Sequence, residues 1–267
     1  MKIGVFDSGL GGLIIFKELI KKFPLHDFVY LGDVKRLPYG SRSDETIFEY
    51  TKQAVEYLFE KRNCKLIILA CNTASARALR RIQQELLPIR YPDRRVLGVI
   101  IPTVEDIVVL SPSVVGVLAT SATVRSGVYK TELNKLNKKI KVFEKSAPSL
   151  VTLIENDEIN FIEPILKNYL SFFLNKKIDT LVLGCTHYPV LKKQIKKIIG
   201  NKIKIISQEE IIPRKLKDYL LRHQEIEKEI TKNGDRQVLV TEITDAFGKL
   251  SKKWLKNNTI LEKVVLE

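Results

Sequence analysis

Two stretches of this chain follow one design: Leu66-Ile67-Ile68-Leu69-Ala70-Cys71-Asn72-Thr73-Ala74-Ser75 and Leu181-Val182-Leu183-Gly184-Cys185-Thr186-His187-Tyr188-Pro189. In each, an apolar run of strand length halts at a small residue, and a cysteine, polar residues and a helical pattern follow. In open α/β sheets ligands bind beyond the carboxyl ends of the strands. Cys71, Asn72 and Thr73, and likewise Cys185, Thr186 and His187, therefore belong where a small molecule docks. A site built in duplicate restricts the chain to two similar α/β halves.

The opening is duplicated as well. Strand Ile3-Gly4-Val5-Phe6 runs into Asp7-Ser8-Gly9-Leu10-Gly11-Gly12 and a helical pattern, and Val114-Val115-Gly116-Val117-Leu118-Ala119 runs into Thr120-Ser121-Ala122-Thr123 and a helix over 126–136. Gly4 and Gly116 are 112 residues apart, Cys71 and Cys185 are 114 apart, so the two copies keep step. A strand, a Gly-rich or hydroxyl-rich turn and a helix make an anion cradle from bare N–H groups and the helix dipole. The first loop fits neither a dinucleotide fingerprint nor a P-loop, so phosphate is not favoured over carboxylate. Asp7 reads as a general base, an orienting group or a helix N-cap.

Between these landmarks the pattern predicts strands at 28–31, 66–70, 96–101, 202–206 and 237–241. It predicts helices at 44–62 (capped by Asp44), 74–87 (capped by Asn72 or Thr73), 103–110, 209–222 and 246–257, and a charged mobile stretch at 223–236. Leu37-Pro38-Tyr39-Gly40-Ser41 reads as a rigid turn bearing a hydroxyl and free N–H groups. Glu155 closes an apolar run and reads as a solvated helix-end acid. Cys71, just before a helix, is expected to have its pKa pulled below the usual value of about 8.5. Cys64 lacks polar neighbours in sequence and reads as a small buried hydrophobe.

Composition removes several classes. The chain has 267 residues, 45% of them hydrophobic, yet no apolar run reaches the roughly 18 residues of a membrane span. Asp7 interrupts the N-terminus where a signal peptide needs apolar residues, so a cytoplasmic protein is expected. Three cysteines without metal-finger spacing exclude a disulfide scaffold. The net charge of +14 raises nucleic-acid binding, but the lysine clusters lie in helical patterns without interleaved aromatics, and the charge reads as a solvated surface.

The motifs Asp-Ser-Gly-Leu-Gly-Gly (7–12), Pro-Tyr-Gly (38–40), Ala-Cys-Asn-Thr-Ala-Ser (70–75), Gly-Val-Leu-Ala-Thr (116–120) and Gly-Cys-Thr-His-Tyr-Pro (184–189) resemble, in order and spacing, those of the glutamate racemases. The resemblance implies two flavodoxin-like domains with mostly parallel sheets and the active site between them: residues 1–97 plus 208–267, and residues 98–207. It implies an isomerase, working as a homodimer without cofactor or metal, that supplies D-glutamate for peptidoglycan and cell shape. Cys71 would deprotonate D-glutamate and Cys185 L-glutamate. Asp7, Glu155 and His187 would support them, and Ser8, Tyr39, Gly40, Asn72, Thr73, Thr120, Thr123 and Thr186 would join Asp7 and His187 in binding substrate. Two positions depart from the family pattern: Ser207-Gln208-Glu209 stands where an Asp is usual, and Ile101 where a Glu is common.

The residue types suit the reaction. Inverting an α-carbon needs a proton removed from one face and another delivered to the opposite face, which two acid/base groups on opposing halves accomplish. Donors at Ser8, Asn72, Thr73 and Thr186 would stabilise the enediolate charge. Three rival readings stand beside this: a Cys185–His187 nucleophilic hydrolase, a zinc site from Cys71, Cys185, His187 and Asp7, and a basic nucleic-acid-binding protein. Aspartate racemase is the alternative within the same superfamily.

Overall fold

The computed structural model describes residues 1–255 and 260–266. Among the described residues ten strands alternate with helices: β1 (Lys2–Asp7), β2 (Phe28–Gly32), β3 (Cys64–Leu69), β4 (Arg95–Gly98), β5 (Val114–Ala119), β6 (Lys141–Ser146), β7 (Thr180–Gly184), β8 (Lys204–Ile206), β9 (Arg236–Val240) and β10 (Leu261–Lys263). Every pairing is parallel. Parallel strands covered by helices on both faces must be apolar along their length, and β1, β2, β3 and β7 are accordingly buried at nearly every residue.

The strands form two sheets, ordered β10-β9-β2-β1-β3-β4 and β6-β5-β7-β8. Replacing β1 to β4 by β5 to β8 converts the core of the first order into the second, so the repeat seen in the motif spacing is a repeat of topology. β9 and β10 extend the first sheet. In each sheet the chain leaves a central strand for one side and returns to the other. The resulting switch points lie beyond the carboxyl ends of β1 and β3 and of β5 and β7.

Several local expectations are corrected. The apolar run 96–101 is not one strand: β4 stops at Gly98 and a helix spans Ile100–Val109. Pro102 sits in its first turn, where a missing N–H costs nothing. The helix expected at 126–136 spans Val128–Leu136, and a separate short helix, Ser121–Ser126, precedes it across Gly127, whose φ of +61° favours glycine. Ser43, not Asp44, caps the helix Asp44–Glu60, its Oγ accepting from Thr46 N–H at 3.2 Å. The stretch 223–236 is tied down: Asp27 accepts from the backbone N–H groups of Asn233 and Asp235, and Ile226 and Ile230 are buried. The last helix spans Asp245–Leu255, and residues 256–257 of its expected extent lie outside the described residues. Edge strand β6 carries no strong alternation and was not expected.

Candidate active site

Four strand ends converge. From β1, Asp7 is fully buried and Ser8 follows it; from β3, Cys71 comes two residues beyond Leu69. From β5 comes Thr120, and from β7 come Cys185, Thr186 and His187. A cavity of about 320 Å³ lies between them, lined by Ser8, Tyr39, Gly40, Cys71, Asn72, Thr73, Thr120, Cys185, Thr186 and His187 among others. Both sheets thus contribute one cysteine to a single cavity, and each thiol is nine-tenths buried or more.

Three candidate residues stand behind this lining. Asp7 accepts from Gly9 N–H at 3.0 Å and from the Thr186 hydroxyl at 3.2 Å, linking the halves. It does not cap a helix, because the first helix begins only at Gly12. Thr123 supports Thr120, Oγ1 to Oγ1 3.0 Å, and Thr120 meets Thr73 of the other half at 2.9 Å. Glu155 is not a solvated acid: its carboxylate lies 2.7 Å from Nε2 of His187, which reaches it because the helix Pro148–Glu155 runs against the cavity. Neither periodicity nor composition signals this partner, 32 residues away.

The glycines of the first loop serve packing more than ligand binding. Gly9 N–H is taken by Asp7. A Cβ on Gly11 would stand 2.4 Å from Thr186 Oγ1 and 2.7 Å from His187 Nδ1, so only glycine lets the loops of the two halves meet there. The free donors lie instead at two helix starts on the cavity wall. Asn72 and Thr73 open the helix Asn72–Arg77, and Ser121 opens the next copy, where first-turn N–H groups have no carbonyl a turn earlier. Ser121, Ser149 and Thr152 also line the cavity and were missed. Ser121 follows a predicted ligand in the duplicated motif, a signal available in the sequence; Ser149 and Thr152 had none.

Electrostatics corrects one expectation outright. Burial, then the neighbouring Asp7 carboxylate, pushes the Cys71 thiol up to about 12 rather than down. Ser8 Oγ at 3.3 Å and Ala74 N–H at 3.5 Å favour the thiolate but do not outweigh the loss of water. Asp7 is itself raised by burial, against the pull of His187 and its hydrogen bonds. Burial opposes charge on His187, yet Glu155 and Cys185 prevail and hold it well above the ordinary histidine value. The ring's Nδ1 is 3.6 Å from the Cys185 sulfur. Cys64, under Gly4 in the core, is raised by burial to about 12. Among the described residues no group of three or more His, Cys, Asp or Glu side chains converges as a metal site, and no helix is long and apolar enough to cross a membrane.

Two twinned α/β units closing on a cavity with a thiol from each define a class of two-sheet α/β enzymes. The chain belongs to the Asp/Glu/Hydantoin racemase family, whose model matches residues 16–211. It is 39% identical to the glutamate racemase of Sulfurihydrogenibium sp. (strain YO3AOP1), the match covering 100% of this chain and 98% of that one. The fold matches the crystal structure of glutamate racemase from Francisella tularensis in complex with D-glutamate, with a TM-score of 0.89, 35% identity and coverage of 100% and 98%. Glutamate racemase isoform RacE1 from Bacillus anthracis gives the same TM-score at 33% identity, covering 99% of this chain and 97% of that one.

Proposed function

We propose that this protein interconverts L- and D-glutamate, with Cys71 and Cys185 as the two acid/base groups. The observation that carries the reading is the pair of thiols brought by equivalent strand ends of two sheets to one cavity. Relatives of full length that bear the name glutamate racemase favour glutamate over aspartate.

The chemistry follows from the side chains. Helix starts at Asn72–Thr73 and Ser121, with the hydroxyls of Ser8 and Thr186, offer donors to a carboxylate and to the enediolate charge it gains. Tyr39 and Gly40 close the cavity over the substrate. The substrate's ammonium group brings a positive charge into the cavity, which stabilises the Cys71 thiolate and lowers its pKa toward the working range. Charged His187, held by Glu155, stands 3.6 Å from the Cys185 sulfur and offers positive charge on that face. One thiolate removes the α-proton, the opposite thiol delivers its own, and the charge states exchange.

The same reading makes residues 1–97 with 208–267 and residues 98–207 the two domains. It also makes the enzyme a cytoplasmic homodimer whose D-glutamate feeds peptidoglycan synthesis. Purified protein, dialysed exhaustively against a chelator, is expected to racemise both glutamate enantiomers without pyridoxal phosphate, nucleotide or metal, as followed by circular dichroism, and to leave aspartate largely unchanged. Activity lost on dialysis and restored by zinc, or a preference for aspartate, would sink this reading.

A further inference from the structure

Gln208 opens the helix Gln208–Arg222 just after β8, is 1% exposed and does not line the cavity. Its side-chain amide pairs reciprocally with that of Asn72: Asn72 Nδ2 donates to Gln208 Oε1 at 2.7 Å, and Gln208 Nε2 donates to Asn72 Oδ1 at 2.8 Å. Tyr129 completes a triangle. Its hydroxyl donates to Asn72 Oδ1 at 2.8 Å and accepts from Gln208 Nε2 at 3.0 Å. Asn72 is on the cavity wall, belongs to the first sheet's half, and is held by two residues that follow strands of the second sheet.

The inventory of bonds is tight. Asn72 Oδ1 has both its acceptor sites occupied, and one of the two Nδ2 hydrogens is used, leaving a single side-chain donor for a ligand. A short side chain carrying this donor would otherwise rotate about two bonds, and its competing orientation would present an acceptor to a carboxylate. All three members are buried, where an unmade hydrogen bond is costly and a made one well localised.

We propose that Gln208 is a positioning residue for glutamate binding: through Asn72 it fixes one of the donors that receive the substrate's carboxylate, and through Tyr129 it ties that donor to the half carrying the second sheet. This inference rests on the glutamate reading above. A neutral amide is the side chain the place requires, since it donates and accepts at once. A carboxylate there would only accept: the Tyr129 hydroxyl would lose the donor it accepts from, and Asn72 Oδ1 would have to share the tyrosine's single proton with the new carboxylate.

The test uses the full chain, D-glutamate binding by calorimetry, and initial rates in both directions. Gln208→Ala is expected to raise Kd and both KM values by about tenfold, the scale of a lost buried hydrogen-bonded partner, with kcat lowered less. Because the equilibrium constant between enantiomers is unity, kcat/KM must fall equally in the two directions. Gln208→Glu gives a second readout. A protonated carboxyl still donates and accepts, whereas the ionised form cannot donate, so the variant-to-wild-type ratio of kcat/KM should fall as pH rises. The titratable groups facing the Tyr129 hydroxyl, Cys185 and Glu144, are present in both proteins, so the comparison is made as a ratio to the wild type. Unchanged Kd and KM in folded Gln208→Ala would overturn the proposal, as would a pH-independent ratio for Gln208→Glu. Wild-type protein that binds glutamate without racemising it would instead sink the functional reading, and the Kd comparison would still decide the role of Gln208.

Discussion

The Glu155 carboxylate lies 2.7 Å from Nε2 of the buried His187 ring, whose other nitrogen is 3.6 Å from the Cys185 sulfur. A carboxylate, an imidazole and a thiol in line make the charge beside the thiol depend on a residue that is absent from the cavity lining. With Glu155 in place, the ring keeps its proton and offers positive charge to a thiolate. Glu155→Gln keeps the shape and removes the charge, so the histidine pKa should drop toward its ordinary range of about 6.5. Nuclear magnetic resonance of labelled histidine should show His187 protonated through neutral pH in the wild type and titrating at lower pH in the variant. Racemisation at neutral pH should fall at least about tenfold, equally in both directions. An unmoved histidine titration would show that Glu155 does not set the charge.

The loops of the two halves touch at Gly11, and the contact leaves no room for a methyl group. Gly11→Ala must displace Thr186 and His187, at a cost of about 1–3 kcal/mol for overpacking a tight site. Activity should fall more steeply than stability, because both displaced residues line the cavity. Gly248 is the contrasting case. It lies inside the helix Asp245–Leu255 with nothing within 4 Å of an added Cβ. Gly248→Ala should therefore stabilise the protein by about 0.5–1 kcal/mol through helix propensity, with activity unchanged. Urea unfolding beside rate measurements distinguishes the two outcomes.

What the sequence revealed, and what it hid, follows one line. The strand ends bearing Asp7, Cys71, Thr120 and Cys185 were legible because buried parallel strands are apolar runs, and the chemistry begins where the run stops. Duplication made them more legible still. Glu155, which the residues alone made a solvated acid and only the family resemblance placed beside the cysteines, and Gln208 were not legible in local pattern because their roles come from partners distant in the chain: 32 residues separate Glu155 from His187, and 136 separate Gln208 from Asn72. A helix-end glutamate looks the same in sequence whether it faces water or a histidine. The direction of the Cys71 shift was misread for a related reason. A helix start is visible in the sequence, whereas the burial and the nearby Asp7 that outweigh it exist only once the chain is folded.

Cys64 and Cys71 both carry thiols raised to about 12 by burial, against about 8.5 in an unfolded chain. The folded state keeps these protons where the unfolded state releases them. Their contribution is therefore complete below pH about 8.5 and is lost as pH rises toward 12. At pH 10 each should cost up to about 2 kcal/mol of stability. Cys64→Ala removes one of the two protons, so its unfolding free energy should decline less steeply between pH 8.5 and 10.5 than that of the wild type. Equal slopes in urea unfolding series would mean that Cys64 already meets water in the folded protein.

Division of labour by face is the sharpest consequence of the two-thiol reading. Each thiol follows a strand of its own sheet, so a substrate between the halves has one on each side. In D₂O both exchange with solvent between turnovers. A thiolate that removes the α-proton of L-glutamate carries it off on its own side, while the opposite thiol delivers deuterium. Early in the reaction the D-glutamate formed should carry deuterium and the recovered L-glutamate almost none. A single base serving both faces would return part of the original proton and label substrate and product alike. Cys71→Ala and Cys185→Ala should each abolish racemisation, since either loss empties one face. Cys64→Ala should retain it, because that thiol packs in the core against Gly4 and is absent from the cavity lining. Near wild-type racemisation by either cavity-cysteine variant, or equal early labelling of both enantiomers, would rule out two bases.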